Sequence, residues 1–354
     1  MISVFQIFKI ILGIIISVFI LFVILRFADS YMEIGESSRQ VSIMVNFKKS
    51  IDDVYTAGIP SDFEMKDSEI FAYIPPHIHM GISSVDMDPI PLLLIPGEKF
   101  SLYRNEYDLG WWKFYFIEVF PETKILFVPL WDDERVWSVM GNITEFLPST
   151  ENTETKVKFF IGCNKTDPEW LWPLGERNRF LDYWLPRFVI FDVEIGPCEN
   201  LEKLKEEGYR IITISEDEAV DADFIVKPVD NGVGHVYIKN GDEYEEYIYK
   251  NGLDIVALLL GGKRYYDYLN EKFIKELEVA IDTGIRESNL LMGDTNIWNR
   301  CGTEFSEFTG TLGSIKEEVI PKMGSMEEDD ARDFDYHIKE SVKDYKDLNS
   351  LGCG

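Results

Sequence analysis

His77 and His79 stand two residues apart, and Asp86 and Asp88 repeat that spacing shortly afterwards. Alternate residues of a strand share one face, so each pair can present two side chains together. Imidazole beside carboxylate is ligand chemistry for zinc, manganese or iron. These four are the candidate metal ligands, although Pro75, Pro76, Gly81 and Pro89 fit a loop of exposed residues equally well. Cys198 follows an apolar run and the turn Glu194-Ile195-Gly196-Pro197, at the start of a helical pattern, where a helix N-terminus lowers a thiol pKa. The turn lacks the spacing of a nucleophile elbow, and beyond His235 no imidazole stands out as a partner. The Gly-containing loop Asp230 to Gly234 precedes a hairpin rather than a helix, so it reads as a turn and not as a phosphate cradle. No catalytic set emerges, and no cofactor is expected.

The cysteines Cys163, Cys198, Cys301 and Cys353 lie far apart, with neither a C-x-x-C pair nor zinc-finger spacing. They are disulfide candidates with three possible connectivities, or buried thiols if the compartment is reducing. A Cys301–Cys353 bridge would tie down the C-terminal segment. Asn142 and Asn164 begin N-x-T triplets and are the candidate glycosylation sites. The 354 residues carry a net charge of −28, from 63 acidic against 35 basic side chains. Such a surplus repels phosphate backbones, so no nucleic-acid partner is expected. With 45% hydrophobic and 14% aromatic residues the chain can bury sizeable cores.

The elements that must position these residues begin with an anchor. Ile10 to Leu25 carries no charge, Lys9 and Arg26 flank it, and residues 1–28 are expected to form one transmembrane helix, with the lipid bilayer as partner through residues 10–28. Residues 29–58 are expected to continue as an amphipathic helix. Its stripe of Met44, Phe47, Ile51 and Val54 follows a three-to-four spacing, and Gly58 and Pro60 end it. The stripe should pack on the chain's own β-rich region; its competing use is an interface for a second copy or a protein partner. Residues 59–165 alternate short aromatic and β-branched runs with turn residues, which predicts a β-rich, sandwich-like domain. A Trp- and Pro-rich linker, 166–186, leads to a small α/β domain at 187–300. That domain has strands at Arg210 and Phe224, a hairpin turning at Asn240-Gly241, and a long helix from Leu253 to Leu290 broken at Gly261-Gly262. Residues 301–354 form a helical, acidic C-terminal segment. The fold class is therefore α+β.

This order, an apolar helix continuing as an amphipathic one and then a β-rich head, resembles the layout of type IV pilin-like and pseudopilin-like archaeal surface proteins. The likeness covers residues 10–163 and is one of layout, because Phe8 to Leu12 holds no leader-cleavage motif. With the sequons and the even cysteine count it implies a membrane-anchored, exterior-facing, non-enzymatic structural or interaction protein of the cell envelope. The alternative is a membrane-tethered enzyme, metal-dependent through His77 and His79 or thiol-dependent through Cys198.

Overall fold

A computed structural model describes residues 21–22, 26, 38–65, 70, 72–80, 83–121, 123–129, 134–146, 157–161, 171–173, 210–214, 222–230, 232–241 and 243–353. Its first long element is helix α1, residues 38–57. The helix ends where the Gly58 amide closes on the Val54 carbonyl at 2.8 Å. Met44, Phe47, Ile51 and Val54 are all buried, Phe47 and Ile51 completely. They lie against a four-stranded sheet of order β1-β6-β7-β5, made of Ser61–Glu64 (β1), Leu92–Leu94 (β5), Lys99–Asp108 (β6) and Lys113–Phe120 (β7). The Phe47 ring sits 5.1 Å from Phe63 of β1 and 5.5 Å from Phe100 of β6. Arg104 of β6 caps the helix end by donating to the Tyr55 carbonyl at 2.9 Å. A smaller antiparallel sheet, β2 (Ala72–Ile74), β3 (His77–Met80) and β4 (Ser83–Asp86), lies beside it.

The third sheet has seven strands in the order β10-β9-β8-β11-β12-β13-β14. It joins β8 (Thr123–Pro129), β9 (Val157–Ile161) and β10 (Leu171–Pro173) to β11 (Arg210–Ile214), β12 (Phe224–Asp230), β13 (Val233–Asn240) and β14 (Glu243–Tyr249). Its middle, β9-β8-β11-β12, is parallel. Parallel neighbours cannot be joined by a hairpin. Between β8 and β9 the chain passes through helix α2, Glu134–Glu145. The sandwich-like expectation is thereby corrected: β8 and β9 find parallel partners across the expected linker instead of closing a second antiparallel sheet.

Helix α3, Gly252–Met292, carries all three sheets. Tyr73 of β2 meets Tyr265 edge-on at 5.1 Å, Tyr265 donates to the Leu94 carbonyl of β5, and Tyr266 donates to Ile248 of β14 at 2.9 Å. Gly262 interrupts the helix with φ 63° and ψ −154°, a left-handed backbone that side chains with a Cβ rarely adopt. The kink lets the two halves of α3 follow differently inclined surfaces. Helices α4 (Thr295–Ser314) and α5 (Glu328–Ser350) complete a helical layer, tied by Thr311 donating to Asp344 at 2.7 Å and Trp111 donating to Ser341 at 3.1 Å. Cys301 and Cys353 form a disulfide that fastens the end of α5 to α4.

The fold is α+β, but its expected transmembrane helix is corrected: among the described residues no helix is long and apolar enough to cross a membrane. The described helices are amphipathic, and even α3 carries charged side chains in successive turns from Lys263 to Glu287. Residues 1–20, 23–25 and 27–37, most of the expected anchor, lie outside the described residues, as do Cys163, Asn164, Cys198 and the apolar run and helical pattern on either side of Cys198.

Glu118 occupies a strand position where apolar neighbours prevail. It is fully buried on β7 opposite Tyr103, with Phe116 and Phe120 flanking it on the same face. Asn105 donates to Oε1 at 3.3 Å, while Oε2 has no hydrogen-bond partner. Burial pushes its pKa well above the ordinary carboxylate value, and the Asn105 contact offsets only part of that. Around it stand the Tyr103 phenol, the Asn105 amide and, through Asn105, the Glu145 carbonyl; no cation touches it among the described contacts.

Two outcomes follow from this packing. Truncating Phe47 or Ile51 to Ala should cost about 2–5 kcal/mol of stability in denaturant melts of the isolated chain. Melts unchanged within error, together with lost self-association, would assign the stripe to another molecule instead. For Glu118, the folded state holds a proton that the unfolded chain releases near the normal carboxylate pKa. Its stabilisation is complete below that value and is lost as pH rises toward the raised folded pKa, by about 1.4 kcal/mol per unit. Glu118→Gln should therefore flatten this part of the stability–pH profile and melt higher than the parent near pH 7; a steeper profile, or a lower melt at every pH, contradicts the assignment.

Candidate functional site

The sequence-level candidates do not converge. His77 and His79 lie on the outer face of β3, with Asp86 of β4 directly across from His77 and Ser84 across from His79. Asp88 is taken by an ion pair with Lys272 of α3, and Asp86 Oδ1 accepts the Asp88 amide at 2.8 Å. Among the described residues no three His, Cys, Asp or Glu side chains are placed to hold a metal ion together. His235, the imidazole weighed as a partner for Cys198, is engaged elsewhere. Its Nε2 meets Glu328 of α5 at 3.0 Å, and its Nδ1 lies at an ion-pair distance of 2.9 Å from Glu246 without hydrogen-bond alignment. The His235 contact is the main cause that lowers the Glu328 pKa, with Arg332 adding to it. Asn142 lies inside helix α2 and is half-buried. Glycosylation acceptors belong to surface loops, and this one faces a cleft.

Beside Asn142, that cleft gathers polar side chains which the sequence did not single out. It occupies about 790 Å³ between the end of β6, helix α2, the start of α3 and the middle of α5. Its floor is the β14–α3 junction. Lys250 ends in the interior with a side chain 1% exposed and donates to both Asp254 oxygens, at 2.8 and 2.7 Å, and to Asn270. The Tyr266 and Phe334 rings flank the ammonium at 5.7 and 5.8 Å, within cation–π range. Asp254 also accepts the Lys250 amide at 3.0 Å, and Asn251 caps α3 by accepting the Asp254 amide at 2.9 Å. Each group in this knot thereby satisfies another. The next residue must be small: a Cβ on Gly252 would lie 2.4 Å from the Asn142 carbonyl, so α2 reaches α3 only because this position has none.

The walls repeat the pattern of paired charge. Lys113 bonds Glu106 at 2.5 Å and Asp108 at 2.9 Å, and Lys339 bonds Asp335 at 2.5 Å. Tyr107 lies between Phe146 and Phe273, with ring centroids 5.8 and 5.7 Å away. Burial raises its phenol pKa far above the ordinary value, with Asp254, Asp335 and Glu145 reinforcing the shift and the Asn251 contact opposing it. Tyr107 thus stays protonated across the physiological range. Ser138 and Asn142 line the opposite side one helical turn apart. The cleft offers hydroxyls, amides and ring faces, and Glu106, Asp108, Asp254 and Asp335 are each paired with a lysine.

The only sequence signal for this site is weak: a Lys-Asn-Gly triplet before a long apolar run marks a capped helix start, not a buried ammonium. Comparison with protein-family models, with curated proteins and with solved structures finds no match.

The knot predicts a large single-site penalty. Lys250→Met strands the Asp254 carboxylate in the interior and should destabilise the fold by about 3–5 kcal/mol, whereas Lys250→Met with Asp254→Leu should recover much of that loss. Additive costs in a double-mutant cycle read by chemical denaturation would contradict the coupling.

Proposed function

We propose that the chain is an exterior-facing interaction protein of the cell envelope that binds its partner or ligand without transforming it. The observation that carries this reading is the Cys301–Cys353 disulfide, which joins α4 to the end of α5 across a sequence separation of 52. Structural disulfides persist in oxidising surroundings and are rare in a reducing cytosol. The binding role is supported by the cleft. Its lysines are neutralised by adjacent carboxylates, and its phenol is held protonated, so its ionisable side chains orient one another instead of standing ready to exchange protons. The acidic surface that follows from a net charge of −28 favours neutral or basic partners over nucleic acid.

The experiment is thiol trapping. Cells are quenched in acid, free thiols are blocked without reductant, and peptides are mapped by mass spectrometry. Linked peptides containing Cys301 and Cys353 are the expected result, and full alkylation of both would remove the main support for the exterior. In the purified protein, closing a loop of this length should contribute about 4 kcal/mol by the chain-entropy relation, and reduction should lower Tm accordingly.

A further inference from the structure

We infer that the cleft between α2, α3 and α5 receives a neutral, polyhydroxylated ligand with the chemistry of a mono- or disaccharide. The inference rests on the reading of the chain as a binding protein and gives that reading a ligand class. Its size suits a small molecule: about 790 Å³ lies within the usual range for ligand pockets, roughly 300–1,000 Å³. Charge then narrows the class. An anion would meet Glu106, Asp108 and Asp335, while Lys250 has its donors consumed by Asp254 and Asn270. A cation at Glu106, Asp108 or Asp335 would have to displace Lys113 or Lys339 from those carboxylates. A neutral ligand disturbs neither arrangement.

The groups left to contact a ligand match hydroxyl-rich chemistry. The Ser138 hydroxyl and the Asn142 carboxamide lie on successive turns of α2, line the cleft, and make no hydrogen bond among the described residues. Each both donates and accepts, as adjacent hydroxyls of a pyranose require. Phe146, four residues after Asn142 at the end of the same helix, and Tyr107 of β6, its ring 5.8 Å away, also line the cleft and offer aromatic surface against which the C–H face of a sugar ring can pack. Placing the Asn142 side chain in such a site also gives this residue a use other than that of a glycan acceptor.

The test is calorimetric titration of the whole purified chain with glucose, N-acetylglucosamine and maltose, beside spermidine and inorganic phosphate. Two variants are compared: Ser138→Ala with Asn142→Ala, and the isosteric Asn142→Asp. Thermal melts establish that each variant is folded. Saturable binding of at least one saccharide, weakened about tenfold or more in both variants, is the expected result, because each loses hydrogen bonds to the ligand. No saturable saccharide binding, equal affinity in the variants, or tighter binding of spermidine or phosphate overturns the ligand class and leaves the exterior binding role standing. Chromatography of each saccharide after long incubation separates the other failure: cleavage products would keep the ligand class and refute binding without transformation.

Discussion

An ammonium held where water cannot reach it must find its whole solvation shell in the protein, and Lys250 does so at the junction of β14 and α3. Two carboxylate oxygens, one amide oxygen and two aromatic faces replace water around it. The desolvation cost of such a pair is large, and its attraction repays that cost only when the geometry is complete. Completeness here recruits three elements. Lys250 follows the last residue of β14, Asp254 and Asn270 lie on either side of the Gly262 kink in α3, and Phe334 belongs to α5. The kink angle, the seat of α5 and the edge of the seven-stranded sheet are therefore mutually constrained by one charge.

Helix α5 is the element this arrangement most directly holds. It lends Phe334, Ile338 and Leu348 to the core, Asp335 and Lys339 to the cleft, and Glu328 to His235 of β13. Its far end is fastened by the Cys301–Cys353 disulfide, reinforced by Arg300 donating to the Gly352 carbonyl at 2.6 Å. An amphipathic helix with few apolar residues is a weak folding unit alone. Anchors at both ends and a satisfied charge in the middle let a strongly acidic helix serve as a wall of the cleft.

The protein treats charge in two ways. Along the helices most ionised side chains sit in solvent, paired locally as in Lys275–Glu271 or Lys339–Asp335, and such pairs contribute little individually. In the interior two of the buried carboxylates meet different fates. Asp254 has a cation beside it, whereas Glu118 has an amide and one unsatisfied oxygen. The first environment supports an ion pair, the second a neutral acid. The difference arises because Glu118 projects from the middle of a sheet against aromatic rings, and Asp254 from the first turn of a helix beside a strand end.

Much of the local structure was legible in the residues. The spacing of Met44, Phe47, Ile51 and Val54 marked the buried face of α1, Asn240-Gly241 marked the hairpin between β13 and β14, and Gly261-Gly262 marked the break in α3; each is a short-range pattern of side-chain type and backbone freedom. The sequence also raised Cys301 with Cys353, but only as one pairing among several, since connectivity depends on distance in space. What tertiary structure decided is everything that requires elements remote in sequence to meet. It drew β8 and β9 into a parallel sheet with β11, and it placed His77, His79, Asp86 and Asp88 in a ladder without the convergence a metal needs. It also made a binding cleft from Tyr107, Asn142, Lys250 and Asp335, residues separated by up to 228 positions in the chain. Periodicity reports which face of an element avoids water; which faces then share one cavity is settled by long-range packing, and no local pattern encodes it.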